Sequence, residues 1–567
     1  MKTCSALVYC PGYPFDPQAL MPDRVLAATA GSLLDAGHTT RIYDYGSVEV
    51  VESLVSGGLS DTARRIADRV VGDDSINPLE TLHTLWQIRS ADKAFRQRQN
   101  ELCDSIAVAL ANVRGLHFAA FHLRSVEDLP CASRIASRLR GLRPKLRIVG
   151  FGEAASQHSE SVMLAFDSFD CLCIGDPEMT LVAIAEKIEQ PDSWGGVSNL
   201  VVRRGRTLAR TPRQPGATLS SLPNLAYEID IYPALRHGEK LRVFEVEDSR
   251  GNPHPGNGDP CISPDRSLSM KPVTAVCHEM WRLGTLFGAR AFAFTGSHAP
   301  ASHVAAVANE LIRRGMRIRY TRTSNVRRMV PAAMHSLRQS GCMSLAFEIG
   351  TGSQRLLDQF YGTGFTVTEA ETVLRASRNA GLFTVASFSY PCPWDDYHTR
   401  CETLRILQRT KPSAAPVIFP GLTPFSLWFR DPKRFGFGVD ESAYLHHMIK
   451  RRRRFPLPQD RWRALPYQIG KLSLAQALAE REELIKDIEE IGVHASTPEP
   501  LLRIARLVGY DGGESLFGDR IQRELLEGDT SGIAEFVMQF NEAVCIAPRR
   551  VAFEPLDATR GGVASQA

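Results

Sequence analysis

The chain has 567 residues, 43% hydrophobic and 23% charged, with 67 lysines and arginines against 63 aspartates and glutamates. That composition excludes disorder of the whole chain, and a formal charge of +4 gives neither nucleic acid nor a membrane surface an electrostatic hold. The length predicts about three domains, and no apolar run approaches the roughly 18 residues of a membrane span.

The apolar start ends at Pro11-Gly12. It is too short for a signal-peptide core and lacks a small-residue cleavage site, so it predicts a buried first strand in a cytoplasmic protein. The 12 cysteines include no C-x-x-C and no C-x-x-x-C-x-x-C spacing, which predicts free thiols.

Short apolar runs at 6–10, 40–43, 118–122, 147–151 and 171–174 alternate with helical patterns at 23–36, 131–142 and 179–188. Such alternation predicts a doubly wound parallel sheet. Residues 49–114 interrupt the rhythm as an insertion with helices at 82–94 and 101–113. Residues 204–240, rich in Arg, Pro and Ser, read as a linker. Six further strands follow at 241–246, 291–294, 317–321, 344–349, 384–390 and 415–419, with helices such as 303–314, 331–341 and 368–381 between them. They predict a partial (β/α)6 barrel of the TIM type, whose chemistry sits at the C-terminal strand ends. Residues 431–555 read as helical and 556–567 as a disordered tail. The basic run Lys450-Arg451-Arg452-Arg453-Arg454 reads as a solvated helix face.

Several strand-end motifs stand in a fixed order. They are Tyr9-Cys10-Pro11-Gly12-Tyr13-Pro14, residues 33–38, Val149-Gly150-Phe151-Gly152 and Gly175-Asp176-Pro177-Glu178 in the first half. The second half carries Glu247-Asp248-Ser249-Arg250-Gly251, Phe347-Glu348-Ile349-Gly350-Thr351-Gly352-Ser353-Gln354 and Tyr390-Pro391-Cys392-Pro393-Trp394-Asp395-Asp396. With these motifs the chain resembles the cobalamin-dependent radical S-adenosylmethionine (SAM) proteins up to the start of the C-terminal helical region. The resemblance implies a Rossmann-like cobalamin-binding domain over 1–203 and a radical-SAM-like partial barrel over 241–430.

Glycines at strand ends let backbone approach a large flat ring closely. The resemblance therefore points to Pro11, Gly12, His122, Arg124, Ser125, Gly150, Gly152, Gly175 and Glu178 for cobalamin, and to Glu348, Gly350, Gly352 and Ser353 for SAM. The first loop holds no histidine, so the loop His122-Leu123-Arg124-Ser125 is the candidate to face cobalt. A neutral His122 imidazole can ligate it. An Arg124 guanidinium, always protonated, would instead leave that face of the metal open.

The family's three cluster cysteines fall at Asn252, Gly256 and Asp259 here. Asn and Gly cannot replace thiolate and Asp is a harder ligand, so no [4Fe–4S] cluster is expected at this loop. His254, Asp259 and Cys261 offer mixed donors that would suit zinc, although the loop's turn formers explain them more simply.

Three functions remain open. The first is a methyltransferase-type enzyme of biosynthetic metabolism, acting on a small molecule with cobalamin and without a cluster. The second is an inactive cobalamin-holding partner of an active radical SAM protein, and the third a radical SAM methyltransferase with a non-standard cluster site. Glu247, Arg250, His298, Arg322, Glu348 and Asp395 are the polar strand-end residues available to bind substrate or SAM; no catalytic residue is singled out.

Overall fold

The computed structural model describes residues 2–545 apart from 11–16, 56–58, 64–77, 237, 239, 253, 255, 260–266, 451–453, 456–466 and 509–528. The expected tail therefore lies outside the described residues, as does most of the basic run.

The first seven strands are β1 (Cys4–Tyr9), β2 (Thr39–Asp44), β3 (Phe118–His122), β4 (Arg147–Phe151), β5 (Cys171–Cys173), β6 (Leu200–Arg204) and β7 (Thr207–Arg210). They form one sheet in the order β2-β1-β3-β4-β5-β6-β7. The first five strands pair in parallel and the last two antiparallel. Alternate residues of β1 enter different cores, Leu7 and Tyr9 one side, Ala6 and Val8 the other. That two-sided burial is why these strands read as continuous apolar runs. The chain order reverses between β1 and β3, so a crevice opens at their C-terminal ends. Tyr9 and His122 lie opposite one another there.

The expected linker is corrected. Thr207–Arg210 is the seventh strand of the sheet. Beyond it the chain crosses the helix Arg24–Asp35, where Ala226 N donates to Ala27 O at 2.9 Å. Gly31 permits that crossing, since a Cβ there would stand 2.2 Å from the Asn224 carbonyl oxygen. Tyr227 and Tyr232 are fully buried. The Arg, Pro and Ser content suggested solvation, but two aromatic rings are enough to pin the segment down. The two helices expected in the insertion are also corrected: they are one, Pro78–Ala111. The intervening Phe95-Arg96-Gln97-Arg98-Gln99-Asn100 contains no breaker.

The second half opens with β8 (Val243–Val246). The short antiparallel pair β9 (Ser249–Arg250) and β10 (Ser269–Met270) brackets the loop that follows. Then come β11 (Ala291–Phe294), β12 (Arg319–Ser324), β13 (Cys342–Gly350), β14 (Phe383–Ser389) and β15 (Val417–Ile418). β8 and β11–β15 form a six-stranded parallel sheet whose spatial order is the chain order. Phe244, Phe292, Leu345 and Phe347 pack into the core shared with the crossover helices. Their neighbours Val243, Ala291, Ala293, Ala346 and Val385 join other clusters with Leu501, Leu502, Ile504 and Phe536. Successive strand residues point to opposite faces, so the helices Glu499–Val508 and Thr530–Cys545 cover the face away from the crossovers. Among the described residues no helix is long and apolar enough to cross a membrane, and the described cysteines are free.

Candidate functional site

A cleft of about 490 Å³ lies between the strand ends of the first sheet and the start of the second. His122, Arg124, Gly152, Gly175 and Asp176 line it from one side, and Glu245, Glu247 and Arg250 from the other.

Arg250 ties the two sides together. Its guanidinium donates to both Glu247 oxygens at 2.9 and 2.7 Å. It also reaches Glu178 at 2.8 Å and Asp176 at 3.3 Å. Arg24 donates to Glu247 at 2.7 Å. Burial pushes the Glu247 carboxyl up, but Arg24 and Arg250 outweigh it and hold the pKa at about 2. Asp176 goes the other way: burial raises it more than Arg250 lowers it.

His122 ends β3 and is buried. Its ring stacks on Phe151 with centroids 5.1 Å apart and planes 9° apart, and Nδ1 lies 2.7 Å from Asp23 Oδ2. Arg124 donates to Gln18 at 3.1 Å. Glu153, also lining the cleft, is raised by burial against the pull of Gln157, Arg124 and His122.

The sequence-derived cobalamin residues divide. His122, Arg124, Gly152, Gly175 and Glu178 all line the cleft. Glu178 is committed to Arg250. Gly175, at φ 84°, has open space where a Cβ would be, as a cradle for a bulky ligand requires. Gly150 is a packing glycine instead, for a Cβ there would stand 2.4 Å from the Leu172 side chain. Ser125 serves its own turn, with its amide 3.0 Å from Asp128 Oδ2. Pro11 and Gly12 lie outside the described residues. Asp23 was missed: its place before a helix marks a cap, but no local signal connects it to a histidine 99 positions on.

Gly152 adopts φ 108°, and a Cβ on it would stand 2.7 Å from His122 Cδ2. Gly152→Ala is therefore expected to cost roughly 1–3 kcal/mol of stability through backbone strain and to displace the imidazole. Urea unfolding measures the first effect and the histidine ring proton shifts the second.

In the second sheet, Glu348 faces open space yet is ringed by protein. Burial raises its pKa, followed by the charges of Asp259 and Glu499. The other SAM candidates are used in packing. A Cβ at Gly350 would press on the Tyr361 ring, and one at Gly352 on the backbone of the helix Tyr397–Thr410. Gly352 N donates to Thr403 Oγ1 at 2.9 Å, and Ser353 is buried beside it. His298 is lowered by burial, against the charge of Asp259. Asp395 is raised to about 6 by burial, against hydrogen bonds from Cys392 and Thr399. Arg322 is paired inside the protein with Asp248 at 2.8 Å.

The loop at the cluster position is stitched to its surroundings. Asn252 donates to the Asp259 carboxylate, and Asn257 N donates to Tyr361 O at 2.6 Å. A Cβ at Gly256 would stand 2.6 Å from that same oxygen.

No protein-family model matches the chain, and no curated protein matches it by sequence. Solved structures do. The radical SAM methyltransferase TsrM from Kitasatospora setae, with cobalamin and a [4Fe–4S] cluster bound, aligns at TM-score 0.61 and 14% identity. The match covers 94% of this chain and 99% of that one. The same protein with tryptophan substrate and the SAM analogue aza-SAM matches 92% of this chain and 99% of that one, also at 0.61 and 14%. The cobalamin-dependent SAM radical enzyme OxsB with aqua-cobalamin matches 76% of this chain and 56% of its own length, at 0.54 and 13%. The chain thus has the fold of the cobalamin-dependent radical SAM proteins, as its strand-end motifs implied. More narrowly, the architecture is similar to that of the methyltransferase TsrM across nearly the whole chain.

One expectation is corrected by this comparison. The sequence reading expected no [4Fe–4S] cluster, whereas the structure of TsrM with the same architecture carries one beside cobalamin. Asn252, Gly256 and Asp259 bring no thiolate to such a cluster. Among the described residues no group of three or more His, Cys, Asp and Glu is placed to hold a metal ion. Cys261, the third member of the mixed-donor zinc set, lies outside the described residues.

Proposed function

We propose that the cleft between the two sheets holds cobalamin and that the chain is a cytoplasmic, methyltransferase-type enzyme of biosynthetic metabolism. The supporting observation is the cleft at the strand ends of the first sheet, where an open glycine after β5 (Gly175) and the imidazole that ends β3 (His122) face the start of the second sheet. The donor set fits the cofactor: neutral imidazole is a cobalt ligand, and a glycine without a Cβ admits a flat macrocycle. When bound, cobalamin supplies a metal that accepts and releases a methyl group.

The protein's own residues bind and orient. Gly152 and Gly175 leave room at the strand ends, and Arg250 with Glu247 fixes the second sheet against the cleft. Glu348, exposed near the end of β13, is the polar residue available to a small-molecule substrate or to SAM as methyl donor.

Purification with hydroxocobalamin tests this. The expected result is a stoichiometric corrin spectrum that changes on addition of SAM and reductant. A colourless protein would refute cobalamin binding, and a bound corrin indifferent to both additions would refute the enzyme. Iron and sulfide analysis of the same anaerobic preparation shows whether a cluster accompanies the corrin.

A further inference from the structure

We propose that Cys103 and Cys131 are a peroxide-sensitive dithiol that closes to a disulfide and, resting on cobalamin in the cleft, thereby loosens the hold on the corrin.

Cys103 lies on the inserted helix Pro78–Ala111, and Cys131 in the first turn of the helix Leu129–Leu142. The two helices pack side by side. Their register is pinned on either side of Cys103. Arg134, one turn beyond Cys131, donates to Asn100 O at 3.2 Å and to Asp104 Oδ2 at 2.6 Å. Between these contacts the two thiols meet and hydrogen-bond. They are 1% and 3% exposed, inside the core on one side of the first sheet. Both also line a cavity of about 800 Å³ walled by the two helices, with Arg96, Ser133 and Arg134. A peroxide is small enough to enter it.

The two sulfurs are not equivalent. The hydrogen bond to Cys131, then burial, push the Cys103 thiol up, so Cys103 keeps its proton. Cys131 stands where the unpaired amides of a helix start favour negative charge, which makes it the attacking sulfur. It attacks one peroxide oxygen; the O–O bond breaks, a sulfenic acid forms and water leaves. The Cys103 sulfur then displaces the hydroxyl, which takes the Cys103 proton and departs as a second water. Each sulfur gives up one electron, and the peroxide takes both.

A disulfide is about 2.05 Å long, shorter than a thiol–thiol hydrogen bond. Closure therefore draws the first turn of Leu129–Leu142 toward the inserted helix. That turn follows directly on Val126–Asp128, and Asp128 Oδ2 accepts from the Ser125 amide at 3.0 Å. The loop held there carries Arg124 and follows His122, and both line the cleft. The pull on the helix is thus a pull on the cleft wall.

The test treats the reduced full chain with one equivalent of hydrogen peroxide and removes the excess with catalase. Mass spectrometry of unreduced peptides maps the linkages, and hydroxocobalamin titration follows each form. The expected result is a Cys103–Cys131 peptide pair and a corrin affinity lower by about 5–150-fold. Dithiothreitol, removed before titration, should reverse both. Cys131→Ser and Cys103→Ser should keep the reduced chain's affinity before and after peroxide. Recovery of both cysteines unlinked, or of Cys103 linked to Cys10, whose charge also bears on it, would overturn the dithiol. The expected linkage with unchanged affinity would overturn its coupling to the cleft. A reduced chain that takes up no corrin removes the cobalamin reading instead, since the peptide map stands without it.

Discussion

Arg250→Ala is expected to destabilise the chain by about 3–5 kcal/mol and to abolish corrin retention. The guanidinium donates to Glu247 and Glu178 and stands 3.3 Å from Asp176. Removing it strands carboxylates that burial already penalises. Glu178 loses its only ion pair among the described residues. The loss falls at the joint between the two sheets, so the cleft walls separate even where each half stays folded. Arg250→Lys, a point charge without the planar fork, should recover less than half of the loss. The pH dependence checks the cause. Glu247 is held at about 2 by Arg24 and Arg250 against burial. A depressed carboxyl contributes stability above its ordinary range and loses it as pH falls through about 2. The gap between wild type and Arg250→Ala, measured by urea unfolding, should therefore narrow as pH falls from the usual glutamate range to about 2. A gap independent of pH would mean that Arg250 acts through packing alone.

Asp248→Ala should be as costly, again about 3–5 kcal/mol, for a different reason. Asp248 is fully buried, and its partner Arg322 nearly so. Arg322 Nη1 donates to Asp248 at 2.8 Å, Nη2 donates to Gly296 O at 3.0 Å, and the guanidinium lies over the Phe294 ring. With the carboxylate gone, a guanidinium that cannot deprotonate is left in a dry interior. The double variant Asp248→Ala with Arg322→Met removes both charges and should regain most of the loss. Unfolding of the four proteins of this cycle gives the coupling. Strict additivity would show that the two residues do not act as a pair.

The fold was legible wherever burial was two-sided and local. The runs at 118–122, 147–151 and 291–294 became β3, β4 and β11 at those bounds, because strands covered on both faces announce themselves as unbroken apolar stretches. The segment 204–240 was not legible, since its composition speaks of water while Tyr227 and Tyr232 decide its place through contacts far away in sequence. The site split in the same way. Gly152 and Gly175 could be found as strand-end glycines, but Gly150 and Gly352 look identical in sequence and answer to Leu172 and to the helix Tyr397–Thr410. His122 was visible as the polar end of a buried strand. Its carboxylate was not, because Asp23 arrives from the far side of an inserted helix.

The borders of both sheets carry a final consequence, for solubility. At β2, Ile42 N donates to Ile231 O at 2.8 Å, so the crossing segment occupies that margin. At the opposite margin β7 is four residues long, preceded by exposed Arg204 and Arg206 and ended by exposed Arg210. Beside β15, Ala415 N donates to His494 O at 2.7 Å. The entry to β8 is held by Asn541, which accepts from Arg242 N at 2.6 Å and donates to Lys240 O at 2.9 Å. Unpaired strand margins are templates for a stranger's strand, and here each is occupied, short or charged. A chain cut before Thr530 would bare the β8 margin and its apolar floor together, and is expected to self-associate more than the full chain.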